Sequence, residues 1–311
     1  MPQRSRLGLA LSALLLWGLQ GSAGSHPLPG FIASFFWDDE AEAFGGYSAI
    51  ELTADGLGLV ALTDRGAFVE GRLTRDAAGR ITGVEAGPVT RLLADGPAPL
   101  RKWRADSEGL ALAPDGSFFV SFENAARVLH YPQMGAEAEN LPIPDAFRNF
   151  PRNAGLEALA VDASGTLYTL PERTGTRGDR SLLGDGGNDD EGPFPVFRYR
   201  GGVWDQPFAL PRGGAMVPAG ADIGPDGRLY IIERQFHGFA GFSSRLRRFV
   251  LSETGLMEEE VLMTSPPGLH DNLEGISVWR DAEGALRATM IADDNFNPLQ
   301  RTEIVEYRLP D

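Results

Sequence analysis

The sequence predicts an all-β protein, a β-propeller built from four-stranded blades. Three observations carry that prediction. A short phrase recurs five times along the 311 residues: an acidic or small residue next to Gly or Ala opens an apolar run, a tight turn follows, and a second apolar run ends in a carboxylate. The 39 Gly and 22 Pro are spread between apolar runs, as punctuation between many short strands rather than as one disordered tract. No stretch keeps the 3.6-residue apolar period that a helix needs, and the runs are rich in Val, Leu, Ile, Phe and Tyr, which suit strands.

The repeats align on their turns, Asp55-Gly56, Asp115-Gly116, Ser164-Gly165, Asp226-Gly227 and Glu283-Gly284. One column of the first strand then reads Ser48, Glu108, Glu157, Ala219 and Glu274, with spacings of 60, 49, 62 and 55 residues. A period near 50 residues marks an array of supersecondary units, and short strands make that array a propeller. The first unit reads as Tyr47–Leu52, Leu59–Thr63, Ala67–Leu73 and Gly83–Leu92. The fourth reads as the run around Asp222, then Leu229–Ile232, Arg245–Leu251 and Glu258–Leu262. The fifth shows three strands, Gly275–Trp279, Leu286–Ile291 and Thr302–Leu309. Its missing outer strand is expected from Phe31–Trp37, a closure that removes open sheet edges. The repeat count is five blades, with a degenerate sixth left open within 174–215.

Arg4 and Arg6, the apolar run Leu7–Leu19 and the small residues Gly21-Ser22-Ala23 have the order of a secretory signal. Residues 1–23 are therefore expected as a signal peptide and 24–311 as a single mature domain, periplasmic or secreted. The alternative is a retained N-terminal anchor, although the run is short for a membrane span. No other candidate span exists, so no stable membrane span is expected after signal removal. The chain has no Cys, which excludes disulfides and a lipoprotein anchor. Its net charge of −15 excludes a nucleic-acid partner, which needs a basic footprint. The expected state is a monomer acting on a small molecule.

Strand direction places the chemistry. In an antiparallel hairpin the start of the first strand and the end of the second share one end, opposite the turn. Glu108, Glu157 and Glu274 are thus expected to ring one mouth of the central channel, joined by Asp106, which precedes Glu108. Asp64, Glu123, Glu172, Glu233, Asp293 and Asp294 are expected just outside on the same face. Clustered carboxylates repel, so a cation, a basic residue or raised pKa values must compensate. Converging oxygen ligands suit a hard cation such as Ca2+, which makes Asp64, Asp106, Glu108, Glu157, Glu274 and Asp293 the metal-ligand candidates. Acids at strand ends also cap turns or pair with neighbours, and Arg65, Arg173 and Arg234 each follow such an acid directly. These arginines, with Lys102 in the basic run Leu100–Arg104, are candidates for binding a substrate anion or for pairing with the acids. A Gly-rich acidic insert, Gly175–Pro193, should leave from the same mouth as a lid or cation-binding loop, or as a solvated loop. His270 and His237 are placed near the mouth by sequence. No Gly-x-Ser-x-Gly elbow, P-loop or His-Glu-x-x-His exists, and no nucleophile stands out.

In this order, Gly45-Gly46-Tyr47-Ser48-Ala49-Ile50 with Leu62-Thr63-Asp64-Arg65-Gly66, Asp106-Ser107-Glu108-Gly109-Leu110 with Ser121-Phe122-Glu123, Asn153-Ala154-Gly155-Leu156-Glu157-Ala158-Leu159, Asp271-Asn272-Leu273-Glu274-Gly275-Ile276 and Asp293-Asp294-Asn295-Phe296 resemble the phytase-like family, labelled "esterase-like activity of phytase". The resemblance covers about 44 to 309 and implies a propeller, export, and Ca2+-dependent hydrolysis of phosphate esters or related esters. By that similarity Asp64, Glu108, Glu157, Glu274 and Asp293 would be Ca2+ ligands. Ser48 and Ala219 depart from the glutamate pattern and leave a half-ring of acids. Two other functions stay open at this point, a non-catalytic ligand- or protein-binding propeller and a lactonase-like propeller with a single metal.

Overall fold

The computed structural model describes residues 28–39, 43–150, 155–174 and 192–311. The expected signal peptide and most of the acidic insert, 175–191, lie outside the described residues. The described chain forms five antiparallel sheets arranged as blades. Blade one comprises Tyr47–Leu52, Gly58–Thr63, Ala67–Arg75 and Ile81–Ala86, with Thr90–Arg91 added beside its third strand. Blade two comprises Ser107–Leu112, Phe118–Phe122, Arg127–Tyr131 and Glu139–Asn140. Blade three is Leu156–Val161, Leu167–Pro171, Phe194–Arg200 and Val203–Leu210. Blade four is Val217–Ile223, Arg228–Phe236, Phe242–Leu251 and Leu256–Thr264.

Blade five contains Asn272–Arg280, Leu286–Asp293 and Glu303–Arg308, and Phe31–Phe36 supplies its outer strand. That N-terminal strand runs antiparallel to Glu303–Arg308, with Ser34 opposite Val305 and Phe36 opposite Glu303. Ser34 Oγ donates to Glu303 Oε1 at 2.5 Å, and the Arg308 N–H donates to the Gly30 carbonyl at 2.7 Å. The sixth blade left open within 174–215 is not formed: Phe194–Arg200 and Val203–Leu210 are the third and fourth strands of blade three. The segment carries strand pattern because it completes a blade, not because it starts one.

Apolar alternation on both faces of every blade gives five separate buried clusters, one at each junction between neighbouring blades. Phe118, Val120 and Leu129 meet Leu62 and Phe68 between blades one and two. Trp279 and Ile304 meet Tyr47, Ile50 and Val69 between blades five and one. The last junction closes the ring and leaves no blade with a bare apolar face. The turn glycines at 56, 116, 165, 227 and 284 all have positive φ, between 66° and 86°. Glycine is favoured there because a Cβ is strained in that region.

Candidate functional site

The repeated acidic position has a specific backbone cause. In each first strand the ladder slips at that residue: the register breaks across Ser48, Glu157, Ala219 and Glu274, and across Glu108 with Gly109. A β-bulge re-aims a side chain and strengthens local twist, so each bulge presents its residue at the mouth. The following small residue is forced by crowding. A Cβ on Gly220 would lie 2.0 Å from the Glu274 carbonyl oxygen, and one on Gly275 would lie 2.7 Å from Ala49 Cα. The Glu-Gly pairing in the sequence is therefore one residue for the mouth and one for the close approach of the next blade.

Two residues before each bulge, the partner strand ends in a second column. Asp64, Glu123 and Glu172 donate their N–H groups to Gly46, Asp106 and Gly155, while Arg234 pairs with Val217 and Asp293 with Asn272. Blade four therefore contributes a cation, Arg234, where the other four blades contribute an acid. Glu233, expected in this column, lies one position earlier and faces into its blade. It is fully buried, and accepts from Arg245 Nε at 2.7 Å and from Arg247 Nη2 at 2.5 Å.

Five acids gather in two overlapping groups around these columns. Carboxylate oxygens of Asp106, Glu108 and Glu123 lie within 4.8 Å of one another, and so do those of Glu123, Glu157 and Glu172. Glu123 belongs to both. No described side chain or backbone N–H donates a hydrogen bond to the Glu108 or Glu157 carboxylate. Burial, then each other's charge and that of Glu274, push Glu108 well above the usual carboxylate range. Burial and Glu172 do the same to Glu157. Glu123 is pushed up to about 8 by burial, Asp106 and Glu172.

On the other side the compensation is built in. Arg234 Nη1 reaches Glu274 Oε1 at 2.5 Å and Asn272 Oδ1 at 2.8 Å, and Nη2 stands 3.6 Å from Glu172. Asn272 Nδ2 also donates to Glu274 at 2.7 Å. Burial works against the charge on Arg234, but Glu274, Glu172, Glu157 and Glu108 outweigh it and keep the guanidinium protonated. Glu274 is nevertheless raised to about 8, because burial outweighs Arg234. Asn272 is a mouth residue that sequence reasoning passed over, although it sits two residues before Glu274, as Asp106 sits two before Glu108.

Asp64 and Asp293 face each other where blade one meets blade five. Asp64 rises to about 7 through burial and the charge of Asp293, and its Oδ1 is buried without a hydrogen bond. Asp293 rises to about 6 through burial, although the Asn295 N–H donates to it at 2.8 Å. Neither belongs to the two groups of three. Asp294 is a clamp and not a member of an outer ring: its Oδ1 accepts from the Gly46 N–H at 2.9 Å and the Phe296 N–H at 3.0 Å.

The remaining candidates scatter. Arg65 lies over the Phe296 ring, 3.2 Å from its centroid, and 3.9 Å from Asp64. Arg173 lies 3.4 Å from Glu172 at the rim. Arg234 is committed inside the acid ring and does not stand free for a substrate anion. Lys102 is in a short 3-10 turn, Lys102–Arg104; its side chain lies outside what is described. His270 is turned into blade five, bonded to Tyr307 Oη at 2.7 Å, and His237 bonds Ser243 Oγ at 2.8 Å.

The phytase-like family model, described as esterase-like activity of phytase, matches residues 42–296. No curated protein matches the sequence. Among solved structures, the α-L-arabinofuranosidase PaAbf62A of Podospora anserina, in complex with cellotriose, is similar with a TM-score of 0.51 and 12% identity, over 90% of this chain and 98% of that one. A gluconolactonase of Xanthomonas campestris gives 0.45 and 16%, over 86% and 73%. The calcium-binding protein regucalcin of Agrobacterium tumefaciens gives 0.44 and 11%, over 85% and 77%. The first is a likeness of fold alone, and the two lower scores are too weak to carry even that. A match over most of the length, on a ring of five blades bearing the acidic bulges, settles the family: the chain belongs to the phytase-like family, described as esterase-like activity of phytase.

Proposed function

We propose that the protein is an exported, monomeric, Ca2+-dependent hydrolase of phosphate esters or related esters, working at the acidic mouth. The observation that carries this reading is the pair of overlapping three-carboxylate groups sharing Glu123. Their donors are hard oxygens, which fit Ca2+. The fit is strengthened by Glu108 and Glu157, whose carboxylates receive no hydrogen bond from the described residues and are held up in pKa by burial and mutual repulsion. Such groups gain most from a cation of higher charge than a proton.

Asp106, Glu108 and Glu123 would hold one ion, and Glu123, Glu157 and Glu172 a second. Bound there, Ca2+ would supply Lewis acidity toward an ester oxygen and a water acidic enough to attack. The chain itself positions Glu108 and Glu157 on bulges, keeps Glu274 paired with Arg234, and leaves the Glu108 and Glu157 carboxylates without a hydrogen bond from the described residues. Arg65 and Arg173 stand at the rim, where a substrate anion would first meet positive charge. Turnover of a panel of phosphomonoesters, carboxylic esters and lactones, with chelator and with added Ca2+, tests the reading. Ca2+-stimulated release of phosphate, abolished by Glu123→Gln, supports it; no turnover of any ester with any divalent metal would leave a binding propeller, and metal-dependent turnover of lactones alone would leave the lactonase-like function.

A further inference from the structure

The channel has a second polar layer that the hydrolase reading does not use. Three residues past each bulge, the first strands read Glu51, Ala111, Ala160, Asp222 and Ser277. The asymmetry is the inverse of that at the mouth. Blades one and four, which lack a glutamate in the bulge, are the two that carry an acid here. Glu51 is 8% exposed and Asp222 9%. Ser277 Oγ accepts from the Leu52 N–H at 3.0 Å and donates to Glu51 Oε2 at 3.1 Å. The Val278 N–H donates to Asp222 Oδ2 at 2.6 Å. No described side chain donates to the other oxygen of either carboxylate; the backbone N–H groups of Leu112 and Ile223 are their remaining polar support.

Both acids line a cavity of about 1120 Å3 at the turn end of the channel, opposite the acidic mouth. All five blades contribute to it. Its walls are apolar at Leu52, Leu112, Val161, Ile223 and Val278. Its charged lining is Glu51, Asp162, Asp222, Asp226 and Glu253 against Arg198 and Arg280. Arg198 is already bonded to Asp205 at 2.7 Å and Glu253 at 2.8 Å, and Arg280 to the Gly284 carbonyl at 2.7 Å. The floor is therefore negative and the walls greasy, which suits a small organic ligand with a cationic head.

We propose that this cavity binds an organic ammonium, its charged head between Glu51 and Asp222 and its hydrocarbon body against the apolar walls. A divalent metal fits less well. Only two carboxylates converge here, and the three-acid groups among the described residues lie at the opposite mouth. An anion is excluded by the sign of the floor. Burial and the charge of Asp222 raise Glu51 well above the usual range, and burial raises Asp222 to about 6, as expected of acids awaiting a positive partner. The inference is independent of the reaction at the mouth.

Titration calorimetry of the full chain with n-butylammonium chloride, in chelator, tests it. Saturable binding is expected, weakened about tenfold or more by Asp222→Asn or Glu51→Gln and changed less than about twofold by Glu108→Gln. Ile223→Trp, which fills the cavity and removes no charge, should also abolish it, and covers the case in which an acid variant fails to fold. Absence of saturable heat overturns the proposal. So does loss of binding in Glu108→Gln, which would place the amine at the mouth. Ca2+ binding that depends on Asp222 in the absence of amine binding would make the layer a metal site and likewise overturn it.

Discussion

Arg234 Nη1 lies 2.5 Å from Glu274 Oε1, joining blade four to blade five across the mouth of the channel. That pair compensates Glu274 from within the protein, whereas the Glu108 and Glu157 carboxylates receive no hydrogen bond from the described residues. Replacing Arg234 with Met would leave Glu274 buried without a cation. Loss of one partner from such a pair costs about 3–5 kcal/mol. Urea denaturation in chelator should show that loss, and Ca2+ should restore part of it; an unchanged midpoint would mean that Arg234 does not hold the ring together.

Stability without metal should fall as pH rises. In the folded protein Asp64 is raised to about 7, Asp293 to about 6, and Glu123 and Glu274 to about 8, against ordinary values of 3.8 for Asp and 4.5 for Glu. The folded chain thus holds protons that the unfolded chain has released. That contribution is complete below the unfolded values and is lost as pH climbs through the folded ones. Acids with lowered values, such as Glu303 and Asp281, act in the opposite sense but below the unfolded values. Calorimetric scans in chelator should give a lower Tm at about pH 8 than at about pH 5.

Calcium should reverse that trend. A ligand of the folded state alone raises Tm, and protons compete for the same oxygens. The increase on adding millimolar Ca2+ should be larger at about pH 8 than at about pH 5. Equal Tm values in chelator and in calcium at both pH values would remove the ion sites.

Glu123→Gln should have two opposite effects, because Glu123 is shared by both carboxylate groups. In chelator at about pH 8 the variant should be more stable, on the order of 1 kcal/mol after screening, since one repelling charge is gone. In calcium it should lose most of the Tm increase. A variant that responds to calcium like the parent would show that the shared position is not a ligand.

Gly46 offers a test of the scaffold. Its φ is +65°, and a Cβ there would lie 2.4 Å from the Phe296 ring and 2.6 Å from Asp64 Oδ1. Gly116 has φ +86° with nothing within 4 Å of a Cβ. Gly116→Ala should cost about 1 kcal/mol through backbone strain, and Gly46→Ala more, up to about 3 kcal/mol. Guanidine denaturation of the two variants compares them directly.

The repeat made the architecture legible because turn chemistry and strand direction are both written locally. Five turn glycines set the blade count, and the missing fourth strand of blade five points to Phe31–Trp37, of which Phe31–Phe36 forms the closing strand. The inner column was legible for the same reason, since Glu108 and Glu157 each lie eight residues before their turn glycine and Glu274 lies ten before Gly284. The outer column was misread in blade four. Glu123, Glu172 and Arg234 each lie seven residues after the turn glycine, whereas Glu233 lies six after it. Seeking an acid at every strand end selected Glu233, although the spacing pointed to Arg234. A one-residue step in a strand reverses the facing side, and so converts a buried partner of Arg247 into a mouth residue. The layer of Glu51 and Asp222 escaped notice because apolar runs hide single acids, and only the closing of the ring brings those two together.

The strand that closes blade five joins two segments far apart in the sequence, since Phe36 pairs with Glu303. During synthesis Phe31–Phe36 must therefore wait, unpaired, until Glu303–Arg308 and the four intervening blades have been made. Contacts between such distant segments come late and slow folding. A chain built this way leaves blade five open until Glu303–Arg308 has been made and can pair with Phe31–Phe36.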